Sequence, residues 1–271
     1  MDAYREWVQN FQTALDARLP VPNPGKYKSS TPKSGAPVAL LFSPHPDDEV
    51  ITGALALRLQ REAGARVINV AVTLGSNSAR REERREELTN ACAMLGWELE
   101  VLGWNAVTPD TAKRDPAVWQ GWVSNIAHLI QRWQPHWIFY PHADDWHPTH
   151  RGVSKLVDAA YGKVGLKSPL YRIQTEYWQP QASPNLLVEC APDSLALLVA
   201  ALCCHRGEIA RNPYHLTLPA WMADNVRRGA ERVAGAGQQA PKFKFGTLYR
   251  VEPELPAGWK AMMPSSVKFK D

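Results

Sequence analysis

The stretch "LLFSPHPDDEV" (residues 40–50) places one histidine and three acids directly behind a short apolar run. "VALLF" (38–42) is continuously apolar, the pattern of a strand buried on both faces. His45, Asp47, Asp48 and Glu49 follow where that strand should end. Like charges this close repel, so a positive ion or solvent must offset them. A metal ion is one answer. An exposed helix start is the other, because the helix dipole favours Asp and Glu in a first turn.

Outward from this stretch the pattern is regular. "GALALRLQREAG" (53–64) reads as a helix closed by Gly64, "VINVAVTLG" (67–75) as a second buried strand, and "ARREERREELTNACAMLG" (79–96) as a second helix ending on glycine. "ELEVLGW" (98–104) and "WIFYPH" (137–142) are strands, each followed by a helix: "AVWQGWVSNIAHLIQRW" (117–133) and "HRGVSKLVDAAYGK" (150–163). Such alternation predicts an α/β fold, a Rossmann-like, mostly parallel sheet with helices on both faces. Beyond residue 168, "LYRIQTEYW", "NLLVEC" and "FKFGTLYRV" read as strands and "DSLALLVAALCCHRGEIA" (193–210) as a helix. No linker-like break precedes them, so residues 38–271 are taken as one domain with a C-terminal extension. Residues 1–37 divide into a helix, with Trp7, Val8, Phe11, Ala14 and Leu15 at helical spacing, and a Pro/Gly/Ser/Lys-rich linker.

Composition narrows the classes of function. A net charge of +4, with both signs interleaved along the chain, lacks the basic stripe of a nucleic-acid or acidic-membrane binder. The N-terminus has no apolar core of a secretory signal, and "LALLVAALCC" (195–204) is too short to span a bilayer. Cys92, Cys190, Cys203 and Cys204 form no CxxC pair, so a reducing, cytoplasmic location is expected. "GAGQQA" (235–240) imitates a dinucleotide fingerprint but follows a charged, helix-like run rather than a strand, so it is read as a loop.

A second cluster, "PHADDWHPTHRG" (141–152), follows the fourth strand as His45–Glu49 follow the first. In open parallel sheets ligands bind outside the carboxyl ends of the strands, so two such clusters can face one crevice. A catalytic zinc site needs three protein ligands and an open position. His45 and Asp48, three residues apart across a turn, can point at one ion, and His150 can supply the third ligand. Asp47 would then lie beside a water whose pKa zinc lowers to about 7. His147 is free to steady an oxyanion or protonate a leaving amine. Asp145 could orient His147 or cap the helix that follows, and both readings stay open.

"SPHPDDE" followed by "DWHPTH" resembles the LmbE-like, or PIG-L, de-N-acetylases, zinc hydrolases that remove acetyl groups from N-acetylglucosamine-type sugars. Residues 45–49 match the family's first motif fully, with Pro44 in place of a small residue, and His147 and His150 match the second, with Thr149 replacing an Asp. A third feature appears as Arg84, Glu87, Ala91, Leu95 and Gly96, so that the resemblance covers roughly residues 38–165. It implies the LmbE-like fold, His45 and Asp48 as metal ligands completed by His150, Asp47 as general base, and Arg84 reaching the substrate sugar. It further suggests that His205, Arg211, Asn212, Tyr214 and His215 line the sugar pocket. Arg84, however, sits in a charge run of the kind usually solvated, and His205 and His215 are of a kind more often packed or on the surface.

The expected activity is metal-dependent hydrolysis of an acetamide on an N-acetylglucosamine-type sugar or its conjugate, releasing acetate. The cofactor is expected to be Zn²⁺, although Fe²⁺ suits the same His₂Asp set. The alternatives are an amidase of the same fold cleaving a larger acyl group from a thiol conjugate and a non-catalytic sugar-binding relative. The expected partner is a small amino-sugar or glycoconjugate substrate, with no nucleic acid and no membrane span. Relatives frequently form homo-oligomers, a point the sequence leaves open.

Overall fold

The computed structural model describes residues 1–26, 34–165 and 170–269; part of the expected linker, 27–33, lies outside them. After helix α1 (Asp2–Leu15), the chain runs β1 (Val38–Ser43), α2 (Asp48–Ile51), α3 (Ala54–Glu62), β2 (Arg66–Thr73), α4 (Arg81–Leu95) and β3 (Glu98–Trp104). It continues through α5 (Thr111–Arg114), α6 (Pro116–Trp133), β4 (Trp137–Pro141), α7 (Pro148–Tyr161) and β5 (Tyr171–Thr175). The last part comprises β6 (Leu186–Glu189), α8 (Pro192–Leu202), α9 (Arg206–Arg211), α10 (Tyr214–Ala234), β7 (Gly246–Glu252) and β8 (Met262–Met263).

All eight of these strands join one sheet, in the order β3-β2-β1-β4-β5-β7-β6-β8. The first five are mutually parallel; β7 runs antiparallel to β5 and β6. This is the expected α/β architecture with an antiparallel extension on one edge. Every residue of β1 is buried, as its unbroken apolar pattern requires. Ala39 and Leu41 face a core shared with α3, α4, α8 and α10, while Val38, Leu40 and Phe42 face a second core built with α6 and α7. Among the described residues, no helix is long and apolar enough to cross a membrane.

The chain order decides where a site can form. From β1 the chain moves outward through β2 to β3, then crosses back to place β4 on the other side of β1. The connections after β1 and β4 therefore diverge to opposite faces, which leaves a crevice at their carboxyl ends. The two polar clusters occupy these two loops.

Several elements differ from the sequence reading. The run 193–210 is two helices, because the chain turns at Cys203–His205 between α8 and α9. The strand expected over "LYRIQTEYW" stops at Thr175 and frees Tyr177 and Trp178. Helix α1 forms, but its apolar stripe is open to solvent, with Trp7 70 % exposed and stacked on Phe11. The helix expected from Gly53 begins a turn earlier as α2 and is interrupted at Thr52–Gly53.

That interruption has a local cause. The buried Tyr249 hydroxyl, reaching across from β7, accepts the Leu55 N–H at 3.1 Å and donates to the Thr52 carbonyl at 2.6 Å. A hydroxyl inserted into the helix ladder bends or breaks it. At the break Gly53 lies so close to the Trp97 ring and the Glu49 carbonyl that a Cβ would stand within 2.8 Å of both. Tyr249→Phe leaves the Leu55 N–H and the Thr52 carbonyl unpaired and should destabilise the protein by about 1–3 kcal/mol. Urea unfolding measures this, and an unchanged midpoint would remove the hydroxyl from the account.

Candidate metal centre and cleft

The loop after β1 is anchored before it turns. The Pro44 carbonyl accepts both the N–H and the hydroxyl of Thr73, at 3.2 and 2.7 Å, tying the loop to the end of β2. The Asp48 carboxylate then accepts the His45 N–H at 2.8 Å, closing the turn that brings both side chains to the same side. On the other wall Pro148 opens α7 and His147 caps it, so His150 falls in the first turn, aimed at the crevice.

Three atoms converge there. His45 Nδ1 and His150 Nε2 each lie 3.2 Å from Asp48 Oδ2, and 3.3 Å from one another. Ligands of a tetrahedral zinc, at 2.0–2.2 Å from the ion, stand about 3.3–3.5 Å apart. The triangle thus has the edges of one face of such a tetrahedron, and its two neutral-capable imidazoles and one carboxylate are the donor chemistry that Zn²⁺ or Fe²⁺ accepts. The nitrogens of His45, His147 and His150 also come within 4.8 Å of one another, so His147 borders the same point.

The surroundings set the charges. Burial would raise Asp48, but the adjacent His150 and His45 outweigh it and hold the carboxyl well below the usual range. Burial lowers His45. Burial would lower His150 too, yet Asp48 and Asp145 carry it up to about 9. In the protein without a metal, the His150 imidazolium therefore serves Asp48 as the cation. Asp47 goes the other way: burial and the Asp48 charge push it well above the carboxylate range, against the pull of Arg84. His147 is lowered to about 4 by burial and by the neighbouring His45 and His150. Its Nδ1 accepts the Thr149 N–H at 3.2 Å, so the neutral ring carries its proton on Nε2.

The structure brings together His45, Asp47, Asp48, His147 and His150 on one cleft of about 960 Å³. Asp145 sits at the helix start, as one of its two open readings had it, but the imidazole it contacts is that of His150 and not that of His147. Its Oδ1 accepts the His147 N–H at 2.8 Å at the start of α7 and stands 3.6 Å from His150 Nδ1, so the ring it steadies is His150. Arg84 is turned inward, only 11 % of its side chain exposed; it lines the cleft and donates to the Pro46 carbonyl at 3.0 Å.

His205 is a correction. It does not line the cleft but is fully buried, because the turn after α8 drives its ring inward, where Nε2 meets Glu49 Oε1 at 2.8 Å. The sequence reading also missed Arg80, Tyr177, Trp178, Glu208 and Trp221 on the cleft wall. Tyr177 packs edge-on against His150, and Trp178 against Tyr214. The rule that flagged His45 would have flagged Tyr177, since it follows the carboxyl end of parallel strand β5. Arg80, paired with Glu208 at 3.1 Å, carries no local signal beyond its charge run. Arg211 and Tyr214, which the resemblance suggested, form a wall with Glu208 and Trp221, supplied by α9 and α10, whereas Asn212 and His215 do not line the cleft.

Comparison with known proteins places this geometry. The family PIG-L, GlcNAc-PI de-N-acetylase, matches residues 40–161, which bears out the resemblance read from the motifs. The chain is similar to a conserved protein of Thermus thermophilus, TT1542 (20 % identity, TM-score 0.59, 82 % of this chain and 98 % of that one). It is similar to GalB, the 4-carboxy-2-hydroxymuconate hydratase of Pseudomonas putida KT2440 (20 %, TM-score 0.62, 82 % and 99 %). It is also similar to N,N'-diacetylchitobiose deacetylase of Pyrococcus horikoshii (18 %, TM-score 0.57, 92 % of each). At these identities the likeness is one of fold, and a hydratase shares that fold with a deacetylase, so the reaction must be argued from the site.

The charges make metal binding pH-dependent. With Asp48 already ionised and His45 already neutral, the proton to be displaced is the one on His150, whose pKa is about 9. Zn²⁺ uptake at pH 7 should release about one proton, and apparent affinity should rise about tenfold per pH unit until pH nears 9. Without metal, the raised His150 pKa adds stability that is complete below about 6.5 and is lost as pH rises through about 9. Calorimetry in buffers of different ionisation enthalpy measures the proton. Uptake without release would exclude His150 as a ligand.

Proposed function

We propose, from residues 40–161 belonging to the PIG-L (LmbE-like) family, that this protein is a metal-dependent amide hydrolase that removes the N-acetyl group from an amino-sugar conjugate. The observation that carries the reading is the His45–Asp48–His150 triangle with the buried Asp47 beside it on the same cleft. His45, Asp48 and His150 would hold the cation, Zn²⁺ or Fe²⁺. Such an ion supplies a positive charge that acidifies water and polarises an acyl carbonyl.

The chain's own residues do the rest. Asp47, whose proton affinity is raised by burial, takes a proton from the attacking water as general base. His147, neutral at pH 7 with its proton on Nε2, donates a hydrogen bond to the oxygen on which negative charge develops. The C–N bond then breaks, Asp47 returns the proton to the departing amine, and acetate and the free amino sugar result. Arg84, by holding the Pro46 carbonyl, steadies the loop that carries Asp47 and faces the substrate from the cleft wall.

The cleft lies at the upper end of the size range of small-molecule sites. Trp178, Tyr214 and Trp221 on its wall give apolar faces beyond the reacting centre. Both features favour a glycoconjugate over a bare monosaccharide, and they also support the second reading, an amidase that cleaves a larger acyl group. The four cysteines are buried and unpaired, which supports a reducing compartment such as the cytoplasm.

The deciding assay is acid release from N-acetyl and bulky N-acyl amino sugars and their conjugates, with protein stripped by chelator and then re-metallated. Acetate release restored by metal supports the de-N-acetylase; release from bulky acyl substrates alone moves the assignment to the amidase. Asp47→Asn should retain its metal and lose kcat by about 10²–10⁴-fold. Hydrolysis at the unsubstituted rate would remove Asp47 from the reaction.

A further inference from the structure

We propose that His205 is a positioning residue, which acts through Glu49 to hold the backbone of Asp47 in the conformation that presents its carboxylate to the cleft. The inference deepens the hydrolase reading and rests on it, because there Asp47 has a task.

Asp47 has φ 110° and ψ −30°, a region that residues with a Cβ rarely occupy. Such a conformation persists only where the surroundings over-determine it. Here a buried carboxylate does so. Glu49 Oε2 accepts the Asp47 N–H at 2.9 Å, and Glu49 Oε1 meets His205 Nε2 at 2.8 Å. Neither the Glu49 nor the His205 side chain has any exposed surface. His205 Nδ1 has no hydrogen-bond partner among the described residues, so the contact with Glu49 is the polar tether of the ring.

The ring is itself held in place. His205 lies in the turn between α8 and α9, and the next turn is fixed from α4, where Glu87 accepts the Gly207 N–H at 2.8 Å. The chain of contacts therefore runs from α9, through His205 and Glu49, to the Asp47 amide. Stability alone gives little reason for the pair, since a buried acid and base are often no more stabilising than apolar residues of the same volume. The geometry of Asp47 gives one. His205 also lies outside residues 40–161, so this part of the C-terminal extension would set the catalytic loop from a distance.

The test compares three variants of the full chain. In His205→Gln the side-chain amide nitrogen can stand where imidazole Nε2 stands. In His205→Asn it falls short of Glu49, and His205→Leu removes the donor at similar bulk. For each, hydrogen exchange at the Asp47 amide is followed by NMR, together with zinc content, folded fraction, and kcat and KM on the substrate found above. His205→Asn and His205→Leu should lose Asp47 amide protection and about 100-fold in kcat, with KM and zinc content nearly unchanged. His205→Gln should restore both protection and kcat.

Retained protection in His205→Leu would overturn the proposal. So would a loss of kcat that only tracks the folded fraction, or a folded His205→Gln as impaired as His205→Leu. If the unsubstituted protein cleaves no amide, the hydrolase reading falls, and the exchange data decide the positioning role alone. Protection lost in Asn and Leu but kept in Gln upholds it; any other pattern rejects it.

Discussion

Three carboxylates in a row, Asp47, Asp48 and Glu49, are buried at the carboxyl end of β1, and the structure around them is arranged by that constraint. A buried carboxylate must find a donor or a cation, or else take up a proton. Each of the three meets this demand differently. Asp48 is flanked by His45 and His150, and Glu49 joins His205 to the Asp47 amide. Asp47 has the Arg84 charge acting against Asp48, Glu49 and Glu208, and with burial its carboxyl is pushed well above the usual carboxylate range. A difference in partners, over three adjacent positions, is what separates the proposed roles of ligand, support and base.

Apart from His45, those partners come from three distant parts of the chain, and the topology explains how they meet. The reversal of strand order at β1 and β4 opens the crevice in which residues 45–48 face residues 147–150. Helix α4 brings Arg84 and Glu87, and the turn between α8 and α9 brings His205. The antiparallel extension contributes less visibly. Tyr249 on β7 interrupts the helical run after the motif, which lets α2 end beneath the site while α3 packs on the sheet. The extension is thus part of the centre's construction, and its helices α9 and α10 wall the cleft.

The charge pattern also explains how the centre tolerates being without a metal. An imidazolium at His150 compensates Asp48 and is steadied from behind by Asp145. His147, kept neutral beside two other imidazoles, remains a donor in either state.

Much of this was legible in the sequence. The unbroken apolar run 38–42 dictated a doubly buried strand, the strand–helix alternation dictated a parallel sheet, and residues 45–49 and 147–150 fell at carboxyl ends of strands, where such sheets bind ligands. These are local patterns, written in contiguous residues. The roles of His205 and Tyr249 were not legible, because each depends on a contact between residues far apart in the chain. The charge run on α4 left Arg84 open between a solvated face and the cleft, which its inward turn decides, and His205 reads as a substrate residue until the turn after α8 buries it. The sequence by itself determined the fold class and which residues gather at the candidate metal centre, since hydrophobic periodicity and motif spacing act over a few residues. Only the tertiary structure decided which acid has which partner, because burial and pairing are properties of the assembled core.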